Sequence, residues 1–253
     1  MINFTEQELL QCFNFAKAMR GNHNPDIIME RDDWEIFRDD FRGKLGEIAV
    51  LKYLRQNIPH ALITGTIDFT VTPRGQWDIT DLIINNKYIN VKAIKQGSNF
   101  LLVETLRYDE HGNYTYRNND GNAVIVDGYI LVRVTVEPDV QKNIFEQSFT
   151  QFCADGFDPK QRKGVRRQYY AEVLGGISHT DFWQYKAFAP KGIKCVYPNL
   201  NAIVNGCDPN ALPIRLGGNE TPNYILQKDN YVIGSRQLQS LEELFNLHQP
   251  ILS

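Results

Sequence analysis

The chain has 253 residues, of which 42% are hydrophobic, 11% aromatic and 23% charged, a composition that builds a sizeable core and excludes disorder and fibrous repeats. At ~150 residues per domain the length falls between one large domain and two small ones, and with no internal repeat or linker-like segment it reads as one elaborated domain over residues 1–253. A net charge of −3 excludes a protein that coats nucleic acid by bulk charge, so any such contact must come from local clusters.

In chain order, residues 5–21 read as a helix, because Thr5 with Glu8 three places on forms a capping box and Gly21 supplies a stop. An acidic stretch over 22–41 reads as a turn and a short helix. Residues 43–57, GKLGEIAVLKYLRQN, follow as a second helix whose apolar positions Leu45, Ile48, Ala49, Val50, Leu51 and Leu54 are too many for a surface stripe, so it belongs in the core. At 100° per residue Gly46 lies mid-way across its apolar side, suited to close approach to a sheet. Glu47 projects between Leu51 and Leu54, away from the side of Lys44, Lys52 and Arg55, which aims a carboxylate at the interior.

Four strand-like runs come next, at 61–71, 77–84, 87–94 and 99–108, and are expected to form one antiparallel sheet. The Asn85, Asn86 pair between the second and third is a hairpin signal, since Asn tolerates the positive φ of tight turns. Residues 123–138 are apolar enough for a central strand. Beyond them 166–176 read as a strand, 178–188 as a helix capped by Ser178 with Asp181, 191–222 with four prolines as loop, and 240–250 as a terminal helix. His179, at the start of the fourth helix, reads as a cap-region residue, because no second His or Cys stands at metal-ligand spacing.

No run approaches the ~18 apolar residues of a membrane span, and the acidic first residues do not resemble a signal peptide, so a cytoplasmic protein without membrane contact is expected. Cys12, Cys153, Cys195 and Cys207 are scattered, as free thiols are.

The chemistry concentrates between residues 43 and 104. Alternation along KYINVKAI sets Asn90 and Lys92 on one sheet face, and a buried lysine needs a carboxylate or a phosphate ligand to balance it. Asp78 and Asp81 stand on the preceding strand. A hard cation such as Mg2+ takes oxygen ligands of the kind Asp78 and Glu47 supply, and then binds phosphate oxygens. A two-residue turn at Asn85 and Asn86 pairs residue 81 with residue 90, whereas a three-residue turn brings Asp78 to the lysine face. Trp77 at the strand entry favours Asp78 as the metal-binding acid, with Asp81 the alternative.

The segments GKLGEIAVLKYL, WDITDLIINN and INVKAIK, in that order, resemble the PD-(D/E)xK nuclease superfamily. The resemblance implies an α/β (α+β) fold of restriction-endonuclease-like type, a mixed β-sheet flanked by helices. Its core spans about 40–137 and a C-terminal elaboration about 138–253. It further implies Mg2+-dependent hydrolysis of nucleic-acid phosphodiesters, with Glu47 as the helical acid, Asp78 as the metal-binding aspartate and Lys92 positioning the attacking water. Asn90 stands where the family usually has Asp or Glu, offering a carbonyl oxygen to the metal but no charge.

Ten acidic against six basic residues fill positions 1–50, while 160–167 hold five basic residues and no acid. Lys160, Arg162, Lys163, Arg166 and Arg167 are therefore candidates to neutralise backbone phosphates. The resemblance implies a DNA endonuclease, most like a type II restriction enzyme, cutting double-stranded DNA as a homodimer and leaving 5′-phosphate and 3′-hydroxyl ends. A non-catalytic nucleic-acid-binding module on the same fold and a nonspecific repair or defence nuclease are the alternatives, and a protein-interaction domain is the rival from another class.

Overall fold

A computed structural model of the chain describes residues 1–22, 32–71, 80–109, 111–113, 115, 126–140, 142–154, 156–158, 163–193, 195–196, 203–204, 214–215, 226 and 228–245. Strand β1 (Ile2–Asn3) leads into helix α1 (Glu6–Ala18), capped by Thr5 and Glu8 in the reciprocal pattern the sequence announces. Helix α2 runs from Asp33 to Asn57 without a break, so the short helix and the core helix expected before and after residue 43 are one element. Its N-terminus is a second capping box, Asp32 with Glu35. From there Phe37, Phe41 and Leu45 recur every fourth residue into the apolar run, all buried, so the burial that holds the helix continues through Gly43. One glycine inside a helix costs only about 1 kcal/mol, too little to end it.

After β2 (Ile63–Thr64), strands β3 (Leu82–Ile84) and β4 (Lys87–Ile94) form a hairpin; β5 (Phe100–Glu104) and β6 (Gly128–Glu137) follow. Helix α3 (Phe149–Ala154) and the small pair β7 (Gly156–Asp158) and β8 (Lys163–Val165) precede β9 (Gln168–Ser178) and helix α4 (His179–Tyr185), capped by Ser178. The rest holds β10 (Ala187–Ala189), β11 (Cys195–Val196), β12 (Ile203–Val204), β13 (Ile214–Arg215), β14 (Asn230–Gly234) and the short helix α5 (Leu241–Leu244).

The main sheet has six strands in the order β1-β9-β6-β4-β3-β2, with β4 and β6 parallel and the other neighbours antiparallel. The protein is therefore a mixed α/β structure, a six-stranded mixed sheet flanked by helices. Strand β5 departs from the single antiparallel sheet expected of the four early runs, because it pairs with β14 in a separate sheet β10-β14-β5. Strand β9 lies within the main sheet, so that sheet draws on both sides of residue 138. Within 191–222, read as loop, β11, β12 and β13 make a three-stranded sheet; strands of two residues are too short to leave a periodic signal.

One face of the sheet, with Leu82, Ile84, Ile89, Val91, Ile130, Val132 and Val134, packs under α1 and α2 around Phe13, Phe37, Phe41, Leu45 and Phe152. The other, with Tyr129, Leu131 and Ile177, packs against Leu101, Val103, Phe182 and Ile233. Among the described residues no helix is long and apolar enough to cross a membrane.

Gly46 sets how closely α2 lies on β4, since a Cβ there would stand 3.2 Å from Ala93 Cβ and 3.5 Å from Val91 Cγ1. Ala93 is held by the β4–β6 pairing and has little room to yield. Gly46→Val should therefore cost about 2 kcal/mol through overpacking, read as a lower urea midpoint at unchanged m-value. An unchanged midpoint would show that the helix can lift off β4 at no cost.

Candidate functional site

The β3–β4 hairpin turns through Asn85 and Asn86 with φ of 51° and 60°, a two-residue turn whose left-handed pair Asn tolerates. Its register sets Ile84 against Lys87 and Leu82 against Ile89. Continued outward by one residue, that ladder puts Asp81 opposite Asn90. Thr80 Oγ1 donates toward Ile89 O at 3.0 Å and Leu82 O at 3.1 Å, and Asp81 Oδ2 accepts from the Val91 N–H at 2.6 Å. The acid is thereby fixed to the backbone between Asn90 and Lys92, both half-buried.

Asp81 is half-buried, and desolvation pushes its carboxyl above the ordinary carboxylate value; Lys92, the Val91 amide and Lys44 pull the other way. A carboxylate in this setting is short of positive charge. Lys92 supplies some of it from the same hairpin, and Lys44 some from helix α2.

Lys44 is the residue that the sequence reading missed. It was set on the solvent side with Lys52 and Arg55, yet it is only 7% exposed. Its Nζ lies 3.0 Å from each carboxylate oxygen of Glu47 and 5.0 Å from the centre of the Phe15 ring on α1. The helical wheel of α2 alone turns Lys44 away from the sheet, and α1 covers that second side. The i,i+3 spacing of Lys44 and Glu47 was the available signal. Glu47 is 5% exposed, as its inward placement on the wheel requires. Beside the pair lies Cys12 of α1, whose thiol is pushed far up by burial and then by the Glu47 charge, and so is inert.

The structure thus pairs Glu47 with Lys44 directly, while Asp81 feels the charges of Lys92 and Lys44. Asp78 and Trp77 fall in 72–79, outside the described residues, as do Lys160 and Arg162. Lys163 is in β8, where only the backbone is described, and Arg166 is exposed. Arg167 departs from its expected role on nucleic acid. It is 3% exposed and donates to Pro138 O at 2.7 Å, to Phe152 O and to Asp139 O at 3.3 Å, with its guanidinium 4.5 Å from the Phe152 ring centre. A buried guanidinium requires such fixed acceptors, which leaves it unavailable to a phosphate.

His179 caps nothing with its ring; Nδ1 lies 3.1 Å from Tyr129 Oη, whose hydroxyl is 2.5 Å from Tyr108 Oη. Burial pushes its imidazole below the ordinary value, opposed by a backbone hydrogen bond with Gly112 and the Asp127 charge.

Oxygen donors of the kind a hard cation takes are the Asp81 carboxylate and the Asn90 amide on the paired strand. Among the described residues no group of three or more His, Cys, Asp or Glu side chains gathers at metal-binding distance. No family model matches the chain, nor does any curated protein or solved structure match it.

Two outcomes follow from these pairs. Lys44→Met, which takes one ion-pair partner from the buried Glu47, should lose about 3 kcal/mol, and adding Glu47→Leu should restore most of it, as replacing both members of a buried pair generally does. Additive losses in chemical denaturation would mean the two residues act separately. For Asp81 the sign is set by its raised carboxyl: the unfolded chain ionises first, at the ordinary carboxylate value, so the folded parent loses stability as pH rises through the higher folded value. Asp81→Asn lacks that loss, so unfolding titrations at about pH 4 and about pH 7 should find the variant gaining on the parent as pH increases. A gap that shrinks instead would mean the acid is better solvated as an anion in the fold than in water.

Proposed function

We propose that this protein is a Mg2+-dependent nuclease that hydrolyses DNA phosphodiester bonds, on a fold of the restriction-endonuclease-like kind. The observation that supports it most is the half-buried Asp81 carboxylate, tied to the Val91 amide and flanked on the same hairpin by Asn90 and Lys92. An acid, an oxygen donor and an amine share one hairpin of a mixed sheet, and the helix packed on that sheet bears Glu47, the residue types that the PD-(D/E)xK resemblance implies.

In this reading Asp81 and the Asn90 carbonyl hold the cation, with Glu47 as a further donor and Asp78 as the alternative acid. When bound, Mg2+ supplies a Lewis acid for the phosphate oxygen and offsets the charge that develops in the transition state. Lys92 orients the attacking water through its ammonium N–H groups and stabilises the pentacoordinate phosphate electrostatically. Val91 holds Asp81 in place through its amide, so the acid spends little entropy on binding. In-line attack leaves 5′-phosphate and 3′-hydroxyl ends. Sequence-specific cutting of double-stranded DNA by a homodimer, in the manner of a type II restriction enzyme, is the form of this activity that the chain's size and large second half suit.

Asn90 and Lys44 favour a second reading, a nucleic-acid-binding module without catalysis. An amide replaces the usual acid, and Lys44 already balances Glu47, so the charges are matched before any metal arrives.

Incubating supercoiled plasmid with the protein in Mg2+, and again with a chelator, separates the two. The nuclease gives metal-dependent nicks or fragments, and Lys92→Ala lowers the rate by at least about a thousandfold at unchanged melting temperature, as loss of an oriented electrostatic group does. Shifted but intact plasmid supports the module, and cutting by Lys92→Ala at the parent's rate removes Lys92 from the mechanism.

A further inference from the structure

The β3–β4 hairpin has two unlike faces. Leu82, Ile84, Ile89 and Val91 are buried in the core beneath α1 and α2. The residues between them, Ile83, Asn90, Lys92 and Ile94, are half-buried, and Tyr88 is 37% exposed. Because side chains alternate along a strand and Ile83 pairs with Tyr88, these residues share the face turned away from α2.

That face is ordered in rows. Thr64 pairs with Ile83 and Ile83 with Tyr88, so an exposed threonine, an isoleucine and a tyrosine lie side by side across β2, β3 and β4. Two residues along β4 comes Asn90, and two further Lys92, with the Asp81 carboxylate held at the Val91 amide between them. Successive rows are ~7 Å apart along an extended strand. A largely apolar, aromatic row therefore borders the oxygen donor and the amine of the candidate site.

Nothing inside the protein uses the Tyr88 ring. Its hydroxyl makes no hydrogen bond and its ring meets no other ring among the described residues. Tyr108, Tyr129 and Tyr169, by contrast, all bond their hydroxyls to neighbours in the interior. The backbone beneath Tyr88 is fixed. Its N–H donates to Asp127 Oδ2 at 2.7 Å and its carbonyl accepts the Asp127 N–H at 2.8 Å, which carries the contact of β4 with β6 one residue beyond Ile89. A ring on so rigid a strand loses little freedom when a ligand is laid on it.

What fits such a face is flat and apolar at one end and anionic at the other. A nucleotide is both, with a base for the tyrosine row and a phosphate for Lys92. The base has to be unpaired, since in a duplex its faces are covered by the stacked neighbouring pairs and only its edges can be reached.

We propose that Thr64, Ile83 and Tyr88 form a shelf on which an unpaired DNA base stacks, beside the phosphodiester held at Asp81 and Lys92, so that the protein prefers DNA whose bases are open at that bond. The shelf stands on the rows of the hairpin, and the part played by Asp81 and Lys92 rests on the nuclease reading. Stacking on a ring is indifferent to the identity of the base, so the shelf selects open strands without reading sequence. At a paired site a base must first be splayed out, and the energy of unstacking makes such sites poorer.

Two duplexes of equal length test this, one fully paired and one with a short mismatched bubble, since both carry the same phosphate charge and differ in open bases. Binding is measured in chelator, where nothing is cut. The parent should hold the bubble about tenfold more tightly, the size of one base–aromatic stack. Tyr88→Ala should lose most of that preference while binding the paired duplex as the parent does. Tyr88→Phe should keep it, because the ring and not the hydroxyl carries the contact. Since Tyr88 is exposed, both variants should melt close to the parent, which separates loss of the shelf from loss of the fold. A parent that binds both duplexes equally overturns the shelf, whatever the plasmid assay gives, and a preference that survives Tyr88→Ala overturns it as well. Intact preference without cleavage of either duplex in Mg2+ removes the nuclease reading and leaves the shelf.

Discussion

Much of this molecule follows from how near α2 can come to β4. At Gly46 nothing stands between helix backbone and strand but Ala93 and Val91, and that contact fixes both the height and the rotation of a 25-residue helix over the sheet. Rotation decides which charges the helix delivers. Toward its C-terminus from Gly46 comes Glu47, and just before it Lys44, both turned into the space that α1 closes. Toward its N-terminus come Arg42 and Arg38, turned to the end of β4. A bulkier residue at position 46 would tilt both groups away from the strand that bears Lys92 and Lys95.

The interior charges are not explained by stability. A buried ion pair returns in Coulomb energy about what it loses in hydration, and apolar residues of similar volume would hold the layers together as well. Cys12, Phe13, Phe37 and Phe41 already fill that space between α1, α2 and the sheet. Yet the same region retains Lys44, Glu47, Asp81 and Lys92, and burial works against the ionised form of Asp81. Perturbed ionisable groups gathered at the edge of a sheet mark sites where binding or chemistry is repaid, and structural pairs do so less often. The same reasoning separates Arg167 from Arg38 and Arg42. Arg167 spends its donors on three backbone carbonyls and has become scaffold, whereas Arg38 pairs with the carboxylates of Asp39 and Asp139 and Arg42 with that of Asp139.

What could be read in the sequence was whatever one element decides by itself. Thr5 and Glu8 cap α1, Ser178 caps α4, and the alternation of Lys87–Ile94 gives β4, because caps and strand faces depend on residues within a few positions. Glu47 was legible as interior from its own helical wheel. Lys44 was not, since its burial depends on α1 lying across α2, a contact made by residues more than 25 positions away. Strand β5 looked like a fourth member of the early sheet, but its partner β14 lies beyond residue 229, and strand pairing at that distance leaves no mark on either segment. The basic run 160–167 suggested one binding face, whereas Arg166 is exposed and Arg167 is locked inside. Composition fixes the charge of such a run, and only the surrounding acceptors decide which member is free to use it.

The hairpin at Asn85 and Asn86 links local sequence to the site most directly. Side chains alternate with period two, so a slip of one residue in the β3–β4 ladder would move Lys92 and Asn90 relative to every neighbour on the opposing strand. Two consecutive residues with positive φ permit a two-residue turn, and that turn allows one register, with Ile84 against Lys87. Asp81 then stands beside Asn90 and takes the Val91 amide, which no other spacing on this strand would let it do. Which acid accepts the Val91 amide beside Lys92 is therefore set by turn chemistry four residues from Asp81, in the two asparagines of the hairpin. Residue type at the site and backbone conformation at the turn have to agree, and the Asp81 to Val91 bond is where they do.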